Sequence, residues 1–191
     1  MDLFFIRKDD VPKFMEIGVK ELYPVLVVVD RLTSLCFVRY TGRKTQAKVS
    51  PKVEEALSFF AKKLNMPKQN LIMYADAGKE FSPQLLKDNK VEFHIVTAGS
   101  KVEKKNSDIQ RQFHRLKNAQ RLTSVSDGLT QATKIVNNSY NRVIKMSANE
   151  AAEKYSDKGE TKKLMEEYNK HREKADTDRR SPLKKGDHVR I

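Results

Sequence analysis

The sequence predicts an α/β domain in which helices flank a mixed five-stranded sheet, followed by a C-terminal helical extension. Three observations lead there. The run YPVLVVVD at 23–30 is almost continuously apolar and β-branched, as a central strand covered on both faces would be. Two further apolar runs, at 71–75 and 91–97, alternate with Ser-Pro pairs at 50–51 and 82–83, each of which suits the first turn of a helix. From residue 101 the apolar spacing becomes helical and stays so to about residue 174.

The elements follow in order. Residues 2–7 read as a strand and 8–22 as an irregular charged connection. Residues 23–30 and 35–41 are strands joined by the short turn 31–34, so they pair antiparallel. Val53, Ala56, Leu57, Phe60 and Leu64 carry a helix that starts at Ser50-Pro51. Residues 71–75 form a fourth strand, 82–89 a short helix, and 91–97 a fifth strand. Helical segments follow at roughly 101–121, 125–138, 148–156 and 159–174. The stretch from Glu173 to Pro182 is a polar linker, and LKKGDHVRI at 183–191 looks like the start of a further β-domain.

Composition narrows the function. Hydrophobic residues are 38% and charged residues 33% of the 191, enough for one core with a polar helical tail. The net charge is +13, and +9 of it falls after residue 100. Such an excess favours a polyanionic partner, because each neutralised phosphate releases condensed counterions. No apolar run approaches the roughly 20 residues needed to cross a bilayer, so no membrane is expected. MDLFFIRKDD is the reverse of a secretory signal, with its acid before the apolar run. The single cysteine, Cys36, excludes a disulfide framework and fits a reducing compartment, nuclear or cytoplasmic. With His94, His114, His171 and His188 it makes no zinc pattern.

The chemistry concentrates in LIMYADAGKEF at 71–81. A buried strand stops at Asp76, the small residues Ala77 and Gly78 make a break, and Glu80 and Phe81 follow. A carboxylate at a strand tip next to a small-residue turn is suited to holding a hard cation. Asp2 opens another apolar strand and Glu103 begins a basic helix. Three such acids, from two strands and a helix, can hold two divalent cations for phosphodiester chemistry. On that helix Val102, Ile109, Phe113, Leu116 and Ala119 form an inward stripe. Glu103, Ser107, Gln110, His114, Lys117 and Arg121 line an adjacent polar face with Asn106 beside it, and Lys101 and Lys104 widen the basic surface. Such a face suits a phosphate backbone running past the metals.

The strand and helix order, with acids at the ends of strands one and four and at the start of a later helix, resembles the retroviral-type integrase catalytic core of the ribonuclease-H-like superfamily. The resemblance covers nearly the whole chain. Met1-Asp2-Leu3 is similar to that family's opening strand, and VLVVVDRLTSLCFVRYT (25–41) to its first hairpin. YADAGKEF (74–81) is similar to its D-N-G-x-E-F motif, with Ala77 in place of asparagine. KVEKKN (101–106) is similar to the V-E-R-x-N start of its glutamate-bearing helix, and NNSYNRVIKMSANEA (137–151) to the segment that closes the core, with Ala148 where proline is common. GDHVRI resembles the beginning of its SH3-like or chromodomain-like barrel, and integrases of large self-synthesising DNA transposons have this flavour.

The resemblance implies a ribonuclease-H-like core at 1–156, a helical extension and linker at 157–182, and an incomplete barrel at 183–191. It implies Asp2, Asp76 and Glu103 as catalytic and metal-holding residues, Mg²⁺ or Mn²⁺ as cofactor, DNA or RNA as partner, and a homo-oligomer. The activity would be 3′-end processing and strand transfer during DNA integration. A second register sets IQRQFHRLK (109–117) on the glutamate helix and puts Gln110 at the third position, leaving the site one acid short. A domesticated, inactive nucleic-acid-binding scaffold is therefore the alternative, and a ribonuclease-H-type hydrolase a third reading.

Overall fold

The structure is a computed structural model that describes residues 1–7, 22–75, 81, 90–95, 100–155 and 161–170. Its centre is strand β2 (Leu22–Val29), with β1 (Asp2–Arg7) and β3 (Cys36–Tyr40) antiparallel on either side. Asp2 stands opposite Val27, and Val29 opposite Cys36. Strand alternation explains why β2 is apolar throughout. Tyr23, Val25 and Val27 join the core on one face of the sheet, while Leu26 and Val28 join the core on the other. The turn to β3 is shaped by Asp30, whose Oδ2 accepts from the Thr33 amide and hydroxyl, both at 2.6 Å. That makes Asp30 a turn-former, and Ser34 closes the turn at φ 63°.

Helix α1 (Gln46–Lys63) covers the Leu26/Val28 face. It begins four residues before the expected Ser50-Pro51 start, so Pro51 lies within it. The reason is Val49, fully buried one turn before Val53, which extends the apolar stripe backwards. Strands β4 (Ile72–Ala75) and β5 (Glu92–Ile95) pair in parallel, Ala75 beside Ile95.

Helices α2 (Ser100–Asn118) and α3 (Val125–Asn138) cover the opposite face of the three-stranded sheet. α2 stops short of the expected residue 121, where Gln120 turns at φ 53° and the Arg121 amide bonds back to the Leu116 carbonyl at 3.1 Å. Ala119 consequently falls outside the buried stripe and is exposed. The two helices touch closely at Gly128, where a Cβ would stand 2.7 Å from the Phe113 ring and 2.9 Å from Leu122. Only glycine fits so near an aromatic neighbour. A small hairpin, β6 (Tyr140–Asn141) and β7 (Met146–Ser147), leads into α4 (Ala148–Lys154). Ser147 and Glu150 cap α4 reciprocally. Residues 161–170 are helical and bury Leu164 against Ile144 and Ala151.

The α/β class expected from the sequence holds. Among the described residues the strands pair as a three-stranded antiparallel sheet, a two-stranded parallel one and the β6–β7 hairpin. The Met1 amino group donates to the Tyr74 carbonyl, joining β1 to β4. Of the expected connection at 8–22, Leu22 belongs to β2 and the rest lies outside the described residues, as do the short helix at 82–89, the linker, the barrel start and Asp76. No helix among the described residues is long and apolar enough to cross a membrane.

Candidate active site

Asp2 is the second residue of the chain and opens β1 with its side chain on the α2 face, the same face as Phe4 and Ile6. Its carboxylate is half-buried and held at both oxygens. The Leu3 amide donates to Oδ1 at 2.7 Å, and the Asn106 side-chain amide donates to Oδ2 at 2.8 Å. Two N–H donors fix the carboxylate plane while each oxygen keeps a lone pair for another partner.

Asn106 is therefore corrected from its expected place beside the phosphate-facing row. It is buried, 7% exposed, on the inner stripe of α2. Residues 102, 106, 109, 113 and 116 follow alternating spacings of four and three, so position 106 belongs with the apolar residues. The signal was readable in the sequence: a polar side chain standing where the period demands an apolar one. Its Oδ1 is buried with no hydrogen-bond partner among the described residues.

Glu103 lies three residues before Asn106, on the neighbouring turn, and is exposed. Gln110 lies four residues after it, partly buried. The other acid of α2, Asp108, is paired with Arg111. Of the two registers, only the one with Glu103 puts a carboxylate within a turn of the residue that touches Asp2.

The remaining polar row is mixed. Lys104, Ser107 and Arg121 are exposed, and His114 and Lys117 partly so. The Ser107 hydroxyl turns back to the Glu103 carbonyl at 3.2 Å. Lys101 belongs to α2, but its side chain is outside the described residues.

Beside the β1–β4 join, Tyr74 stacks on His94 with ring centroids 5.3 Å apart, and Arg31 lies over the same tyrosine at 5.5 Å. His94 bonds Glu92 at 2.6 Å and is exposed, not packed inside as its strand position suggests.

The donors fit a hard divalent cation in kind. Asp2 offers oriented carboxylate oxygens, and the unpartnered Asn106 oxygen adds a neutral acceptor next to them. Among the described residues no three His, Cys, Asp or Glu side chains gather closely enough to hold a metal by themselves. One of the three expected acids, Asp76, stands outside that set.

No family model matches the sequence, and no curated protein matches it either. Solved structures do match. The chain is similar to the HTLV-2 integrase catalytic core domain in complex with magnesium in its trimeric form, with a TM-score of 0.60 at 16% identity, over 77% of this chain and 89% of that one. It is similar to the BIV integrase catalytic core domain, with a TM-score of 0.57 at 15% identity, over 73% of this chain and 90% of that one. A chain of the simian T-cell lymphotropic virus intasome in complex with PP2A regulatory subunit B56 gamma also matches, with a TM-score of 0.60 at 14% identity, over 77% of this chain and half of that one. The fold is therefore that of an integrase catalytic core.

Proposed function

We propose that the chain is the catalytic core of an integrase, which binds DNA and carries out metal-dependent 3′-end processing and strand transfer. The observation that carries this reading is the meeting of β1, β4 and α2 at Met1 and Asp2. Met1 bonds Tyr74, two residues before Asp76, and Asp2 bonds Asn106, three residues after Glu103. Acids 74 and 101 positions from Asp2 along the sequence are thus each within three residues of a hydrogen bond made at that one place.

Asp2, Asp76 and Glu103 would hold Mg²⁺ or Mn²⁺. Bound there, the cations supply activation of a water or 3′-hydroxyl nucleophile and charge neutralisation at the leaving oxygen. The chain's own part is placement. The Leu3 and Asn106 donors keep Asp2 from rotating, and α2 leads away from Asp2 with Lys104, Gln110, His114 and Lys117 along it and Arg121 just past its end, so a phosphate backbone can run past the reacting bond. With a net charge of +13 the chain is drawn to DNA before any specific contact forms. The likeness to the HTLV-2 core in its trimeric and dimeric forms supports a homo-oligomer.

The test is incubation of the full chain with end-labelled duplex oligonucleotides and Mn²⁺. Nicked and joined products are expected from the wild type, with a loss of roughly 100-fold or more in Asp2→Asn and Asp76→Asn while thermal melting stays within a few degrees. Salt-sensitive DNA binding with no product in any variant would identify the inactive scaffold instead. Cleavage confined to the RNA of a hybrid would identify the hydrolase.

A further inference from the structure

We propose that the Tyr74–His94 ring pair is a stacking platform for one unpaired nucleobase of a DNA end held at Asp2. The inference rests on the reading that DNA passes this site, and its test needs no cleavage.

Strand alternation puts the platform on the right face. Met1, Met73 and Ala75 belong to the core under α1, and Phe93 packs against it. Their chain neighbours Asp2, Tyr74 and His94 therefore stand on the other face of the strands. Tyr74 lies beside His94 in the β4–β5 pairing, and the Met1 amino group donates to the Tyr74 carbonyl. His94 is thus two strand spacings, about 10 Å, from the strand of Asp2. A base lying there belongs to a nucleotide close to the reacting phosphate.

The chemistry of the surface selects a base over a phosphate. The Tyr74 and His94 rings are 5.3 Å apart and 20° from parallel, and Arg31 lies over Tyr74, so three flat π-systems are in contact. Tyr74 is half-buried, whereas the His94 side chain is 46% exposed. Ile72, two residues before Tyr74 on the same face, is 52% exposed and keeps the neighbourhood apolar. The Glu92 carboxylate bonds His94 Nε2 at 2.6 Å, which holds the ring and repels a phosphate from it. An exposed, oriented ring beside a carboxylate suits the flat face of a neutral base. Bases inside a duplex are stacked on one another, so only a splayed base can offer that face. Stacking of one base on an aromatic side chain corresponds to roughly 5- to 150-fold in affinity.

A purely structural role for the pair makes a different forecast. A cross-strand ring pair that only steadies β4 against β5 contributes to Tm and is indifferent to what the DNA end carries.

The experiment is fluorescence anisotropy of the full chain at one salt concentration in metal-free buffer, with three labelled duplexes that differ at one end. One is blunt, one carries two unpaired adenosine nucleotides, and one carries two abasic nucleotides with the same phosphates. The wild type is expected to bind the adenosine overhang roughly 5- to 150-fold tighter than the abasic one. His94→Ala should erase that preference, and His94→Phe, which keeps a flat ring without the imidazole, should retain it. Equal wild-type affinity for the two overhangs overturns the inference whether or not any variant folds, and so does a preference that survives in His94→Ala. Nicking of duplex DNA together with equal affinity for the two overhangs overturns this inference alone. Failure to bind any of the three duplexes overturns the DNA-binding reading with it.

Discussion

Two asparagines are buried against the same sheet, and they differ in what they leave unsatisfied. Asn137, at the end of α3, is 5% exposed and fully engaged. Its oxygen accepts from the Cys36 amide at 3.0 Å and its nitrogen donates to the Cys36 carbonyl at 2.8 Å. The carboxamide thus takes the place of a neighbouring strand on the open edge of β3, covering main-chain groups that would otherwise be bare. Asn106, on α2, spends its nitrogen on a side chain and leaves its oxygen unpaired. The complete arrangement is architecture, and the incomplete one lies beside the acid that the proposed chemistry needs. Among the described residues the Tyr23 hydroxyl in the core of β2 is the other buried polar atom without a partner.

The same substitution at both positions breaks or sharpens this contrast. Asn137→Leu strands the Cys36 amide and carbonyl, at roughly 1–3 kcal/mol each. A loss of several degrees in Tm is expected, with Mn²⁺ affinity unchanged. If Asn106→Leu and Asn137→Leu lower Tm equally, the distinction fails.

A smaller loss is expected where α2 and α3 touch. Gly128→Ala forces a methyl against the Phe113 ring, an overpacking cost of about 1–3 kcal/mol, offset by the better helix propensity of alanine at about 1 kcal/mol. Urea unfolding of the variant should show a net decrease, and an increase would mean that the helices separate freely. Phe113 and Asn106 share the α2 stripe, so a shift there that carried through to Asp2 would also appear in Mn²⁺ binding.

Cys36 provides a probe that leaves the energetics alone. Burial pushes its thiol up to about 12, and its sulfur lies 3.0 Å from the Asn137 oxygen. The native chain should resist alkylation by iodoacetamide near pH 8, and Asn137→Ala should open that site measurably. Fast reaction in the wild type would show that the edge of β3 is not closed as described.

The smallest effect is at the helix starts. The Gln131 side chain, followed by Thr123, holds Asp127 below its ordinary value of 3.8. The Ser147 main-chain amide, followed by its hydroxyl, holds Glu150 below 4.5. Carboxyls depressed in the folded state contribute stability above their unfolded values and lose it as pH falls through the folded ones. Stability should therefore decline below about pH 4.5, and Asp127→Asn with Glu150→Gln should flatten that decline. An unchanged acid profile would show that these caps contribute nothing to it.

Much of the fold could be read along the chain because its signals are local. The run at 23–30 announced β2, the apolar spacing at 109, 113 and 116 announced α2, and Asp30 could be placed as a turn residue from its strand-end position. What escaped was set by partners far away in sequence. The clasp between Asn137 and Cys36 spans 101 positions, and nothing near either residue signals it. The bond from Met1 to the Tyr74 carbonyl spans 73 positions, and apolar content does not encode it. At the site, Asp2 and the helix of Glu103 could be matched to one another by a motif, but the residue joining them was assigned to the wrong side of the helix. The spacing of 102, 106 and 109 held the right assignment, because a polar residue inside an apolar period has either a buried partner or a ligand to meet.

The most direct measurement is a crystal structure of the chain soaked in Mn²⁺, with anomalous scattering used to locate the metal. A peak is expected about 2.1 Å from an Asp2 oxygen, shared with Asp76 and with Glu103 turned toward it. Ordered Asp2, Asp76 and Glu103 carboxylates with no anomalous peak among them, or with Glu103 facing away from the two aspartates, would contradict it.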